Sequence, residues 1–460
     1  MRAVLIALAL IISVRSVSAQ EALTIEAAIR IAREHNPAFR RAQNDVFVAD
    51  ADIRRSYGAL LPSLNADLRF SGYSSSRVTG ENDYGQPVKL PSAIDFKGSS
   101  ASQGVGLNLT LFDGGAMFRE VSATRAQADA TTARIHAEAA ALIGDVTRQY
   151  YAALRAARLV AVEKQLLASA QERQERTEKL LRVAGSSPVD LLGARAEVAS
   201  QEQQVARAEN DARKQALLLQ EIMGAPGGGE FTLASDIPAA VDPTGIAREA
   251  IIMEALSRSP VVQQATAAAR AAAKRSSAAH AARMPTISAN AAYGRSMSLS
   301  SYEALFELNP QNRGFNFGVS ASIPLFNNFR PSLQIAQAEA ALADAKEDVR
   351  EVKLRVERQV RSALLDLDHS FKLLQLAERK AQLSRERLDL AQEQYRNGAM
   401  TFTELQNVID RTADAERQVV DARFNYANAL TYLEEYAGSS LPSLSASPSP
   451  SPPPSPSPNR

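Results

Sequence analysis

The sequence predicts a mainly α-helical protein that carries a membrane β-barrel. It is built as two tandem repeats of helix, helix, strand, strand, long helix, long helix. Three observations predict this. The chain repeats itself at a fixed spacing. Four stretches alternate apolar and polar residues over about ten positions each, the length a tilted strand needs to cross a bilayer core. One long segment, Ile335 to Tyr395, has neither proline nor glycine and keeps a seven-residue apolar period.

The repeat is legible in short motifs. "LTIEAAIRIAREHNPAF" at 23–39 parallels "IAREAIIMEALSRSPVV" at 246–262, which sets Pro37 and Pro260 223 residues apart. "LLPSLNADL" at 60–68 parallels "RMPTISANA" at 283–291, and Pro62 and Pro285 keep the 223 spacing. At "LNLTLFDGG" (107–115) and "IPLFNNFR" (323–330) the spacing between Phe112 and Phe326 is 214. It is still 214 at Asp190 and Glu404, and at Gly224 and Gly438. The shortening falls between the two strands of a repeat, where loops vary.

The expected organisation is a leader at 1–19, a first repeat at 20–224, a linker at 225–245, a second repeat at 246–438 and a tail at 439–460. The leader has Arg2, an apolar run from Ala3 to Val14 and a small-residue Val17-Ser18-Ala19 site, which reads as a secretory signal. No cysteine follows it, so no lipid anchor is expected there. The linker is rich in Gly and Pro. The Ser/Pro-rich tail cannot bury a core and is expected to be disordered.

The strands are expected at about 62–73, 102–112, 285–297 and 314–326. Leu64, Ala66, Leu68 and Phe70 alternate with Asn65, Asp67, Arg69 and Ser71; Val105, Leu107, Leu109 and Leu111 alternate with Gly106, Asn108 and Thr110. The second repeat does the same with Ile287, Ala289, Ala291 and Tyr293, then with Phe315, Phe317, Val319, Ala321 and Ile323. A half-buried soluble sheet also alternates, so the strands alone leave both readings open.

The helices decide between them. Ile335, Leu342, Val349 and Val356 recur every seven residues, as do Leu367, Leu374, Ala381, Leu388 and Tyr395, with a stutter near Val360. Such a helix is a rod of about 90 Å, which no globular core can use. Four strands with one apolar face cannot close, because closed barrels begin at about eight. Several copies pooling their strands into one barrel, with their helices continuing as a tube, satisfy both elements.

Composition narrows the function classes. The chain of 460 residues has 52 Lys+Arg against 51 Asp+Glu, without the basic excess a nucleic-acid binder needs. It has no cysteine, and His35, His136, His280 and His369 fall in no metal-ligand spacing. No Ser/His/Asp or paired-carboxylate context marks a hydrolase. Neither enzyme chemistry nor a cofactor or metal is expected. Trp is absent, so Phe70, Tyr73, Tyr293, Phe315 and Phe317 are expected to supply the aromatic girdle of a barrel.

With these motifs in order, the sequence resembles the TolC-like outer-membrane efflux (outer-membrane factor) family over about residues 21–438. The resemblance rests on the tandem repeat, on Asn36-Pro37, on Leu61-Pro62-Ser63-Leu64 and on Leu111-Phe112-Asp113-Gly114-Gly115. "AGSSPVDLLGAR" at 184–195 and "QYRNGAMTFTELQNVID" at 394–410 add to it. It implies a homotrimer with one barrel of 12 strands in the bacterial outer membrane and an α-helical tunnel in the periplasm. The duct would serve a tripartite efflux or type I secretion system, exporting small molecules or polypeptides. A periplasmic adaptor and an inner-membrane transporter would be its partners, outer-membrane lipid its surroundings, and the transporter its energy source. The alternative is a soluble periplasmic coiled-coil adaptor or scaffold.

The resemblance also implies site residues. The helix-to-helix turns near Gly185 and Gly398 would form a closed periplasmic tip. Glu404 matches an acidic constriction position whose companion is Asn407 here, so the ring would carry fewer charges. Tyr395 and Asp190 match partners in polar links that hold the tip shut, while Met400 stands where some members have arginine. Asp190 and Glu404 also suit first-turn helix caps, and Tyr395 continues the heptad seam. Pro62, Pro285, Phe112, Asp113, Gly114, Gly115 and Phe326 mark the strand–helix junctions. In the second copy Asn327-Asn328 and Pro331 stand in place of the glycines.

Overall fold

The computed structural model describes residues 22–182, 187–225, 231–234, 236–237, 239–304, 306 and 308–438. The expected leader, the tail and Gly185 lie outside the described residues. The first repeat holds α1 (Ile25–His35), α2 (Pro37–Gly58), β1 (Ser63–Glu81), β2 (Pro87–Phe112), α3 (Ala116–Arg182) and α4 (Pro188–Met223). The second holds α5 (Arg248–Arg258), α6 (Pro260–Ala279), β3 (Thr286–Leu299), β4 (Asn312–Ser322), α7 (Arg330–Arg396) and α8 (Phe402–Ala437). The long helices α3 and α7 each have 67 residues, and the returning helices α4 and α8 each have 36. Mainly helical, with one small antiparallel sheet, this is the architecture the sequence predicts.

The chain divides into two compact units that cut across the repeats. One takes the segments that end at Asn44, run Ala133–Gln264 and begin at Arg350; the other takes Asp45–Thr132 and Ala265–Val349.

In the first unit, two clusters of buried side chains use the same positions of the two repeats. Leu142, Val146 and Leu219 sit in one, with Ala32 and Phe39. Val356, Val360 and Leu433 sit in the other, with Ala255 and Val262. Each pair keeps the repeat spacing. The heptad seam of α7 is where the burial lies: Val356, Val360, Leu367, Leu374 and Ala381 are each under 5 % exposed. Val360, at the stutter, is fully buried, because a four-residue step restores the apolar face that a strict seven would rotate away.

Asn36-Pro37 is explained by a cap and a close approach. The Asn36 side chain accepts from the Ala38 and Phe39 amides at 2.9 Å and donates to the Ile222 carbonyl at 2.8 Å. Pro37 then fills the first helical position, where no amide is needed. Gly224 ends α4 with φ +66° against the His35 carbonyl, where a Cβ would come within 2.4 Å. Gly438 ends α8 with φ +72° against Ser259 and Pro260 in the same way.

The second unit holds the sheet, antiparallel in the order β1-β2-β3-β4, so β1 and β4 are both open edges. β1 and β2 run beyond the expected ranges as a long polar hairpin, Ser74–Glu81 pairing with Pro87–Lys97. Backbone ladders do not require apolar alternation, so this extension carried no periodic signal. β4 ends at Ser322 rather than 326. Pro324 lacks the amide that would continue the ladder. A bulge between Thr110 and Phe112 sets Phe112, not Leu111, opposite Ile287.

Candidate functional site

The sheet separates its two faces cleanly. Register pairs Leu107 with Ala291, Leu109 with Ala289, Ala289 with Val319 and Tyr293 with Phe315 on the apolar face. On the other face Asn108 pairs with Asn290 and Ser288 with Ser320, whose hydroxyls bond at 3.1 Å. Ser71 and Ser100 bond there at 2.7 Å. A polar face of hydroxyls and amides can line water, and the apolar face can meet hydrocarbon. One girdle assignment changes. Tyr73 has the parity of Asp67 and Arg69, and its ring lies over Gly98 on the polar face. Phe70, Tyr293, Phe315 and Phe317 are on the apolar face, the last two with ring centroids 6.0 Å apart.

Both strand-to-helix junctions use a left-handed backbone pair. Gly114 and Gly115 have φ +72° and +80°, and Asn328 and Phe329, 214 residues on, have φ +46° and +59°. Asp113 caps α3, its carboxylate accepting from the Met117 amide at 2.8 Å. A Cβ on Gly114 would stand 2.1 Å from the Met284 Cβ, so glycine is required twice over in the first copy. Phe326 and Phe329 pack edge to face, centroids 5.6 Å apart. Pro62 and Pro285 immediately precede β1 and β3, and Met284, before Pro285, is already extended at φ −86° and ψ 154°.

The helix turns lie in the first unit. Asp190 is the N3 residue of a capping box on α4: its carboxylate accepts from the Ser187 amide, and the Ser187 hydroxyl accepts from the Asp190 amide, both at 3.1 Å. Glu404 does the same on α8. It accepts from the Thr401 amide and hydroxyl at 2.9 Å, and these bonds hold its carboxyl below the usual glutamate value. The side chain is fully exposed and charged at neutral pH. Asn407, one turn on, is also exposed. Gly398 supplies the left-handed residue that ends α7, φ +71°, with the Ala399 amide bonded to the Gln394 carbonyl at 2.9 Å.

Tyr395 is half-buried among Leu388, Ala391, Leu405 and Val408, its ring 6.3 Å from Phe402. Burial first, and the Asp190 charge second, push its phenol above the usual value. The structure gives Tyr395 a packing role, with the Asp190 charge acting on its phenol.

Sequence reasoning missed a polar tie between α3, α4 and α8. Arg417 of α8 donates to both carboxylate oxygens of Glu163 on α3, at 2.6 and 3.0 Å, and Gln201 of α4 donates to Glu163 at 2.6 Å. Burial alone would raise the Glu163 carboxyl; the Arg417 bonds and charge outweigh it and hold the carboxyl below the usual range. Further along the same antiparallel seam Arg155 pairs with Asp421 at 2.7 Å, and Arg148 pairs with Glu435. The available signal was a glutamate inside an apolar stretch, "LVAVEKQLL" at 159–167.

No helix among the described residues is long and apolar enough to cross a membrane. No group of three or more His, Cys, Asp or Glu among them is placed to hold a metal.

The outer membrane efflux protein family model matches residues 28–225 and 251–439. The chain belongs to that family, whose members are channels of the outer membrane. Its fold is that of several solved channels. CusC is 20% identical over 90% of this chain and 92% of its own, with a TM-score of 0.72. The CmeC outer membrane channel of Campylobacter jejuni is 17% identical over 90% and 85%, at 0.67. The open-state MtrE channel of Neisseria gonorrhoeae is 18% identical over 92% and 91%, at 0.68. No curated protein sequence matches the chain. The family assignment favours an outer-membrane efflux channel over a soluble scaffold.

Proposed function

We propose that three copies close one barrel of 3 × 4 = 12 strands and serve as the exit duct of a tripartite efflux or type I secretion system. The observation that carries this is the four-stranded sheet with two open edges and one apolar face. Such a sheet neither closes nor buries that face by itself, and unpaired edges invite a neighbour. Joining the β4 edge of one copy to the β1 edge of the next abolishes every edge. A periplasmic adaptor and an inner-membrane transporter are the partners, and the transporter supplies the energy. The chain carries out no reaction of its own. Residues 1–19 serve as the export signal, and the repeats at 20–224 and 246–438 meet through the 225–245 linker.

The turns at Gly185 and Gly398 form the periplasmic entrance, with Glu404 and Asp190 as its charged ring, Asn407 as its uncharged companion and Tyr395 beside them. A ring of carboxylates at a constriction attracts cations. The duct is tested by extracting the protein in detergent, measuring its oligomeric state and recording conductance in planar bilayers. A trimer that conducts supports it; release without detergent as a monomer overturns it.

A further inference from the structure

Arg295 of β3 and Arg313 of β4 are register partners, two residues beyond the Tyr293–Phe315 pair. By strand parity both project from the apolar face. Side chains directly opposite on one face stand about 5 Å apart at Cβ, and like charges there repel. Neither guanidinium has a hydrogen-bond or ion-pair partner among the described residues, and Arg295 Nε is buried without one. Gln103 of β2 is the next residue across on the same rung.

The loop between β3 and β4 is fastened to that face. Ser99 donates to the Ser301 carbonyl at 2.6 Å and accepts from the Ala304 amide at 3.0 Å; Gln103 donates to the Leu308 carbonyl at 2.6 Å. Phe306 packs on Phe70 at 5.4 Å, yet Phe306 and Leu308 remain 69 % and 71 % exposed. The described acid of the loop, Glu303, is exposed and pairs with neither arginine. Among the described residues this pair thus offers two cations without a counter-charge, next to the Tyr293–Phe315 pair and an apolar band. Lipid phosphates flank the hydrocarbon core of a bilayer, and arginine binds phosphate through paired N–H donors.

We propose that Arg295 and Arg313 bind a phosphate group of an outer-leaflet lipid, whose acyl chains lie along Tyr293, Phe315 and Phe317. This rests on the barrel reading, which places the hairpin loops at the outer surface. The test uses the detergent-extracted full-length protein: wild type, Arg295→Gln/Arg313→Gln, Arg313→Gln alone should the double variant fail to assemble, and Arg69→Gln on the polar face as control. Oligomeric state is measured first, and failure of the wild type to oligomerise overturns the barrel reading and the site together. Retained phosphoglycolipid is then counted per oligomer by native mass spectrometry. Melting is followed with added phosphoglycolipid, its dephosphorylated form or inorganic phosphate. The arginine variants should retain at least about tenfold less lipid, the loss expected for one charge-assisted hydrogen bond. Only the phosphorylated lipid should raise the melting temperature of wild type. Equal retention by the variants, equal protection by the dephosphorylated lipid, or equal protection by inorganic phosphate would each overturn the site.

Discussion

Gly114 and Asn328 stand 214 residues apart and hold the same left-handed backbone, φ +72° and +46°. The fold demands that conformation where a strand hands its chain to a 67-residue helix, and the two copies meet the demand differently. Glycine accepts it freely, asparagine tolerates it, and a β-branched residue does not. Gly114→Ala adds a steric clash to the strained backbone, so it should destabilise by more than about 2 kcal/mol. Asn328→Gly should be close to neutral, while Asn328→Val should cost about 2 kcal/mol. Thermal melts of the detergent-solubilised protein decide; an unaffected Asn328→Val would show that the second junction does not need the left-handed turn.

The buried Glu163–Arg417 pair predicts an acid-sensitive helix bundle. Glu163 is 8 % exposed and Arg417 31 %. The folded carboxyl is held below its usual value, so the unfolded chain takes up its proton first as pH falls. The stabilisation is therefore complete above about pH 4.5 and is lost as pH drops through the lower folded value. Arg417→Ala strands a buried carboxylate and should cost about 3 kcal/mol. Glu163→Gln leaves Arg417 its bond to Asp414 at 2.9 Å and should cost less. The acid limb of the melting curve should flatten in Glu163→Gln. An unchanged limb would remove this pair from the pH response.

Apolar periodicity exposed the repeats, the seam through Val356, Val360 and Leu367, and the two-faced strands, because burial of apolar area drives each of them. It was silent about Glu163, since a buried charge is stable only through partners on helices distant in sequence. It could not bound β1 and β2, whose distal hairpin is held by its backbone ladder and by polar contacts such as Ser76 to Asp95, which leave no apolar period. The parity of Tyr73 needed the observed register. At the helix turns, Asp190 and Glu404 satisfied two sequence rules at once, a cap and a ring of charge. The structure establishes the caps.

Cap and ring are separable by substitution. Glutamine at N3 still completes a capping box, so Glu404→Gln should melt like wild type while lowering cation selectivity in bilayer recordings. Thr401→Ala should do the reverse, losing about 1 kcal/mol of stability with selectivity kept. Wild-type selectivity should persist to a pH below the ordinary glutamate range, because the Thr401 bonds hold the carboxyl ionised. If Glu404→Gln leaves selectivity unchanged, Glu404 is a cap and nothing more.

α7 carries a stripe of exposed leucines. Leu365, Leu376, Leu383 and Leu390 are 63 %, 61 %, 59 % and 62 % exposed, although the same helix buries its heptad seam. Their spacings of 11, 7 and 7 residues keep them on one stripe, since three turns of helix take about 11 residues and two take about 7. One isolated copy gains nothing from a leucine stripe in water; a neighbouring copy covering it gains roughly 1.5–3 kcal/mol per leucine. Leu376→Glu/Leu383→Glu should therefore leave each helix formed, by circular dichroism, but abolish the trimer in detergent, by light scattering. The matched change Leu376→Met/Leu383→Met keeps the volume and should keep the trimer. A trimer that survives the glutamates would place the subunit contact elsewhere, on the β1 and β4 edges alone.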